Sequence, residues 1–326
     1  MLLATALLVI GLVLLVYGAD RLVFSAAILC RSLGVPPIII GMTIVGIGTS
    51  LPELIVSFSA ATRGQMDMAV GTAMGSNITN ILLILGGAAL LHPLTVHSRL
   101  VRRELPLMLL VTLLGGVMLV DNQLSRGDGI ALVAIALLYL LYIIRIARRA
   151  EQDNNDTLTR EQLAELPRDD AGNTVAFLWL AVALIILPMS TRMVIDNASV
   201  IADYLGVSEL VIGLTIVSVG TSLPELATVI AGALKGEDDI AIGNLIGSNI
   251  YNIALVPGLP ALFQPGAIDS AAFARDYWIM LGVSALFMLF CLQRSRRIGR
   301  SKGAFLLAGF VVWIAVLYLE PLYLNG

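Results

Sequence analysis

The sequence predicts an all-α membrane protein whose ten transmembrane helices form two inverted five-helix repeats. Three observations carry this prediction: a lipid-embedded composition, ten apolar segments of spanning length, and a motif pair that recurs at one fixed offset. The chain has 326 residues, 58% of them hydrophobic and 13% charged, with a mean hydropathy of +0.92. Soluble domains sit near ~45–50% apolar and ~25% charged, so the composition argues against a soluble enzyme. The net charge is −3 and there is no basic stretch of the kind that nucleic-acid binding needs. Cys30 and Cys291 both lie inside apolar runs and read as buried thiols, with neither disulfide nor metal spacing.

A helix needs about 20 apolar residues to cross ~30 Å of hydrocarbon. The segments that qualify are 2–29, 37–61, 68–91, 104–120, 129–147, 174–202, 210–234, 240–263, 275–293 and 304–323. The first lacks a basic leader region and a small-residue cleavage site before Tyr17, so it reads as a retained span. The first and sixth are long and carry charges, Asp20 and Arg21 in one and Arg192 and Asp196 in the other. Their expected arrangement is a tilt, or emergence from the membrane near those residues. The apolar runs are continuous rather than alternating, which excludes a barrel. Between the fifth and sixth spans, residues 148–173 hold 11 charges of mixed sign in 26 residues. Such a stretch reads as a solvated linker between residues 1–147 and 174–326.

Arginine and lysine orient the bundle. One set of loops holds 15 of the 20 basic residues, from Arg31 through Arg99, Arg102, Arg103 and the linker to Lys302. The opposite set holds three, Arg63, Arg126 and Arg275. Both termini are therefore expected outside and the 148–173 loop in the cytoplasm. His92 and His97 flank the end of the third span and read as interfacial residues.

Residues 41–54 read GMTIVGIGTSLPEL and residues 213–226 read GLTIVSVGTSLPEL, with 11 of 14 positions identical at an offset of 172. The same offset aligns GTAMGSNITNI at 71–81 with GNLIGSNIYNI at 243–253, seven of 11 identical. Five spans per half turn the second half upside down, the inverted repeat of secondary transporters. The pseudo-two-fold axis then brings the matching motifs together near the bilayer midplane.

Glu53 and Glu225 are the central pair. A charge in mid-membrane costs at least ~2.5–3.5 kcal/mol, and Arg63 and Lys235 are each ten residues away. A bound cation, or protons, must neutralise them. Pro52 and Pro224 lack the N–H that would bond the carbonyls of Gly48 and Gly220, so each helix should break and offer backbone oxygens. Thr49 and Glu53 are expected on one helix face with Ser50 beside them, and Thr221, Ser222 and Glu225 repeat the pattern. On the next span Ser76 shares a face with Asn80, as Ser248 does with Asn252, while Asn77 and Asn249 sit one position round and cap or bridge. Gly71 with Gly75, and Gly243 with Gly247, are read as close-packing contacts against the glutamate helix. All the donors are oxygen, which is hard-cation chemistry: Ca²⁺ takes ~6–8 oxygens, whereas Zn²⁺ and Cu⁺ want nitrogen or sulfur.

GTSLPE followed by GSNIxN, present twice on inverted halves, resembles the sodium/calcium exchanger family within the cation/calcium antiporter superfamily, and its prokaryotic inner-membrane branch most of all. The resemblance spans essentially the whole chain. It implies a core of spans 2, 3, 7 and 8, across which spans 1 and 6 slide. It further implies Glu53 and Glu225 as shared Ca²⁺ and Na⁺ ligands, with backbone carbonyls from Thr49 and Thr221. Ser50, Ser222, Ser76 and Ser248 would line outer Na⁺ sites, and Asn80 and Asn252 would lie near the centre. Several family members carry Asp where this chain has Asn252, so two carboxylates serve here rather than three.

The expected function is exchange of Ca²⁺ for Na⁺ by alternating access, with no cofactor, lipid as the surrounding partner, and no nucleic acid. Two glutamates balance one Ca²⁺; an emptied site carries about −2 and resists crossing, which enforces exchange. The alternative within the fold couples H⁺ to Ca²⁺ or another divalent cation. A channel is disfavoured because filters usually come from rings of subunits. An intramembrane enzyme using Ser50 or Ser222 lacks a His or Lys placed as base.

Overall fold

The computed structural model describes residues 1–33, 35–96, 101–152, 173–205, 218–270, 272–293 and 296–324. Among these, the chain is almost entirely helical. Seven helices are long and apolar enough to cross a membrane: Leu2–Cys30, Met66–Leu91, Arg126–Ala147, Asn173–Ile201, Asp238–Phe263, Phe273–Leu292 and Arg300–Leu317. An eighth span is the broken pair Pro37–Thr49 and Leu51–Thr62, bent by 41°. The expected fourth span forms the helix Val101–Leu119, whose first turn carries Arg102, Arg103 and Glu104. The expected seventh is described only from Ser218 onward. His97 and most of the 148–173 linker also lie outside the described residues.

Helix α1 (Leu2–Leu33) is 32 residues long, about 48 Å at ~1.5 Å per residue. That exceeds the ~30 Å hydrocarbon thickness, so it must tilt or protrude. Its partner has the same length, Asn173–Tyr204. Gly11 of α1 meets Ser190 and Val194, and Gly18 meets Ile186 and Leu187, so the two long helices run antiparallel. The charges expected on these spans are accounted for locally. Asp20 pairs with Arg21 and with Lys235, each at 2.8 Å. Arg192 and Asp196 form an exposed pair at 3.6 Å.

The broken span comprises α2 (Pro37–Ile40), a π-helical turn Gly41–Val45, α3 (Gly46–Thr49) and α4 (Leu51–Thr62). The break falls on Ser50, the residue that precedes the α4 helix, with Pro52 in that helix's first turn. There the missing N–H costs nothing, because first-turn donors have no partner in any case. The second half repeats this. Ser218–Thr221 ends before Ser222, and Leu223–Lys235 begins with Pro224 in its first turn. Next in each half comes the helix carrying GSN: Met66–Thr79 leads into a π-helical turn Asn80–Leu85, whereas Asp238–Ala254 is regular and has all 17 residues buried.

Close packing around Asp238–Ala254 depends on glycine. A Cβ on Gly243 would meet the Ile38 carbonyl oxygen at 2.5 Å, and one on Gly247 would run into the backbone of Met42. The contact is thus with the first half of the Glu53 span. Gly71 does not share it: a Cβ there would meet nothing within 4 Å beyond its own helix, and it is exposed. The expectation of close packing fails at Gly71 because nothing among the described residues crosses that face.

Two short antiparallel strand pairs link the halves at the helix ends. Leu94–Thr95 pairs with Arg297–Ile298, and Gln123–Leu124 pairs with Gly266–Ala267. The first pair lies before Val101–Leu119 and the second after it, so they occupy opposite ends of that helix.

Candidate cation-binding site

The two breaks bring both glutamates to the starts of helices. Ser50 precedes α4 and Glu53 lies in its first turn; Ser222 and Glu225 have the same places in Leu223–Lys235. Helix N-termini carry partial positive charge and exposed N–H groups, a setting that favours a carboxylate. Thr49 ends one helix and Glu53 lies in the first turn of the next, across a 41° bend.

The serines cross between halves. Ser222 donates to Glu53 Oε1 at 3.1 Å, and Ser50 donates to Glu225 Oε1 at 3.0 Å. Ser76 donates to Glu53 Oε1 at 3.5 Å and stands 3.4 Å from the Ser222 hydroxyl. Thr49 Oγ1 lies 3.4 Å from Ser248 Oγ. Thr49, Ser50, Glu53, Ser76, Thr221, Ser222, Glu225 and Ser248 are all buried, both glutamates fully so.

Asn80 and Asn252 are fully buried as well. Asn80 donates to Asn249 Oδ1 at 3.1 Å, and Asn77 donates to the Asn249 carbonyl at 3.0 Å. Asn77 and Asn249 therefore bridge the two GSN helices. Several acceptors in this region have no hydrogen-bond donor among the described residues: Glu53 Oε2, Glu225 Oε2, Asn80 Oδ1 and Asn252 Oδ1. Buried acceptors are normally satisfied, and leaving a carboxylate oxygen unpaired costs several kcal/mol in order of magnitude. Oxygens that attract no donor are the atoms a hard cation would use.

Sequence reasoning missed Asn244. It is fully buried, and its Oδ1 accepts from Thr49 at 3.0 Å and from Ser248 at 3.3 Å. Its signal was available: Asn244, Ser248 and Asn252 are spaced i, i+4, i+8 and share a helix face. A filter on repeated residues discards it, because position 72 in the other half is Thr. An open, largely apolar cavity of ≈ 530 Å³ runs along Ile40, Ile44 and Ile47 to Gly48 and Leu51.

Buried hard-oxygen donors inside a multi-span helical protein define a membrane transporter of the secondary class. The chain belongs to the sodium/calcium exchanger protein family, whose model matches residues 3–145 and 175–319. It is 63% identical over 323 residues to the inner membrane protein YrbG of Escherichia coli K12, covering 99% of both chains. It is 31% identical to the sodium/calcium exchanger MaX1 of Methanosarcina acetivorans, covering 96% of this chain and 97% of that one. The crystal structure of the sodium–calcium exchanger NCX_Mj soaked with 2.5 mM Na⁺ and 0.1 mM Ca²⁺ superposes with a TM-score of 0.83. That match has 29% identity and covers 97% of this chain and 99% of the other.

Proposed function

We propose that this protein is an antiporter that exchanges Ca²⁺ for Na⁺ by alternating access at a midplane site. Its ten spans form two inverted repeats, 1–147 and 174–326, joined by a cytoplasmic linker at 148–173, with both termini outside. The ligands are Glu53, Glu225, Thr49, Thr221, Ser50, Ser222, Ser76, Ser248, Asn80 and Asn252. One observation carries the reading: two buried glutamates, each holding a serine of the opposite half through Oε1, leave both Oε2 atoms unpartnered. Two carboxylates balance the charge of one Ca²⁺ or of two Na⁺. The hydroxyls and amides complete a shell of neutral oxygens for either ion. The names of the family, of MaX1 and of NCX_Mj support the choice of Na⁺ and Ca²⁺.

The test is ⁴⁵Ca²⁺ flux in proteoliposomes. An imposed Na⁺ gradient should drive Ca²⁺ uphill in the wild type. A pH gradient in Na⁺-free buffer should not. Flux that follows the pH gradient and ignores Na⁺ would replace this reading with H⁺/Ca²⁺ exchange at the same carboxylates.

A further inference from the structure

The two halves of the site are not equivalent, and Asn244 is the reason. Its Oδ1 accepts hydrogen bonds from Thr49 and Ser248, one hydroxyl from each half of the chain. The Thr49 hydroxyl also lies 3.4 Å from the Gly46 carbonyl, and Ser248 lies 3.3 Å from the same carbonyl. Each hydroxyl has one proton and more than one acceptor within reach. At the position matching Asn244 in the first half, Thr72 donates to its own helix at the Met68 carbonyl, 2.7 Å away. Nothing equivalent to the Asn244 amide is offered from that position.

We propose that Asn244 is a positioning residue: it takes the hydroxyl protons of Thr49 and Ser248, so that these two hydroxyls keep their oxygen lone pairs turned toward cations. A hydroxyl whose proton is held by Asn244 presents its own lone pairs to a cation. The effect falls unequally on the two ions. Ca²⁺ is held mainly through its double charge by two carboxylates. A monovalent ion depends more on oriented neutral oxygens. Asn244 therefore sets the Na⁺ dependence of exchange more than its Ca²⁺ dependence. This inference rests on the exchanger reading above and adds the residue that makes its half-sites unequal.

The experiment is a double-mutant cycle on full-length protein in proteoliposomes. It measures the Na⁺ concentration giving half-maximal flux, the KM for Ca²⁺ and the unfolding temperature. Asn244→Leu keeps the approximate shape without an acceptor. It should raise the half-maximal Na⁺ concentration roughly tenfold and change the Ca²⁺ KM less than about twofold. Asn244→Asp keeps the acceptor and should hold the Na⁺ dependence near wild type. Thr49→Val combined with Asn244→Leu should be no worse than the larger single effect, because both remove one interaction. Should Asn244→Leu not reconstitute, Asn244→Ser takes its place in the cycle, since one short hydroxyl cannot accept from both partners. Additive effects, equal shifts for Na⁺ and Ca²⁺, or Asp as damaging as Leu would overturn the role of Asn244. A lower unfolding temperature with unchanged Na⁺ dependence would make it a packing residue. Wild-type protein lacking Na⁺-driven Ca²⁺ flux would instead sink the exchanger reading.

Discussion

Ser50 donates its hydroxyl proton to Glu225 Oε1 at 3.0 Å across 175 residues of sequence, and Ser222 does the same for Glu53 at 3.1 Å. Each half of the chain therefore supplies a carboxylate and the serine that orients the other half's carboxylate. Neither half holds a complete set of contacts alone.

The first prediction follows from that exchange. Ser50→Ala and Ser222→Ala each remove a hydrogen bond to a buried carboxylate, an interaction worth about 1.5–3 kcal/mol. Each should cut Na⁺-driven Ca²⁺ flux by roughly tenfold or more. Glu53 has a second donor in Ser76 at 3.5 Å, so the loss should be no larger for Ser222→Ala than for Ser50→Ala. A loss confined to one serine would show that only one carboxylate depends on its partner.

Glu53→Gln and Glu225→Gln keep the side-chain shape and remove the charge that balances Ca²⁺. Both should abolish Ca²⁺ flux while leaving the protein folded, as read by its elution profile and unfolding temperature. Near-normal Ca²⁺ transport by either variant would place the divalent site elsewhere.

The Asp20–Lys235 contact joins α1 to the end of the Glu225 helix, at 2.8 Å with about a third of each side chain exposed. Lys235 also donates to the Asp20 carbonyl at 3.1 Å. Partial exposure limits such a pair to about 1 kcal/mol. Lys235→Met should therefore leave the unfolding temperature nearly unchanged. It should shift the ratio of apparent Ca²⁺ affinities measured from the two sides of the membrane by up to about fivefold. An unchanged ratio would mean that the contact persists throughout the transport cycle.

Two glycines one repeat apart should respond in opposite ways. Gly243→Ala drives a methyl into the Ile38 carbonyl and should destabilise the protein by about 1–3 kcal/mol. Gly71→Ala meets nothing and should be neutral, or stabilising by up to about 1 kcal/mol, as helical Gly→Ala usually is. Thermal unfolding in detergent separates the two, and a destabilising Gly71→Ala would show that this face is packed after all.

Much of the site was legible because a bilayer makes polar residues conspicuous. Glu53, Glu225 and the Ser and Asn positions stood out against apolar runs, and their recurrence at one offset paired them. Pro52 and Pro224 marked both breaks to within two residues. What stayed hidden depends on contacts between distant segments. Sequence spacing groups Ser50 with Glu53, yet the fold gives Ser50 to Glu225. Asn244 escaped because its matching residue is Thr72, and a search for repetition overlooks what makes the halves differ. Gly71 and Gly243 look alike in sequence and differ only in what lies opposite them.

The two strand pairs, Leu94–Thr95 with Arg297–Ile298 and Gln123–Leu124 with Gly266–Ala267, fasten the halves together at both ends of Val101–Leu119. Neither pair includes α1 or its long antiparallel partner Asn173–Tyr204, and none of the ten candidate ligands lies on those two helices. The long antiparallel pair thus carries no donor oxygen, and it touches the Glu225 helix through the Asp20–Lys235 contact rather than through a strand. The residues that choose the ion and the two longest helices belong to different parts of the molecule.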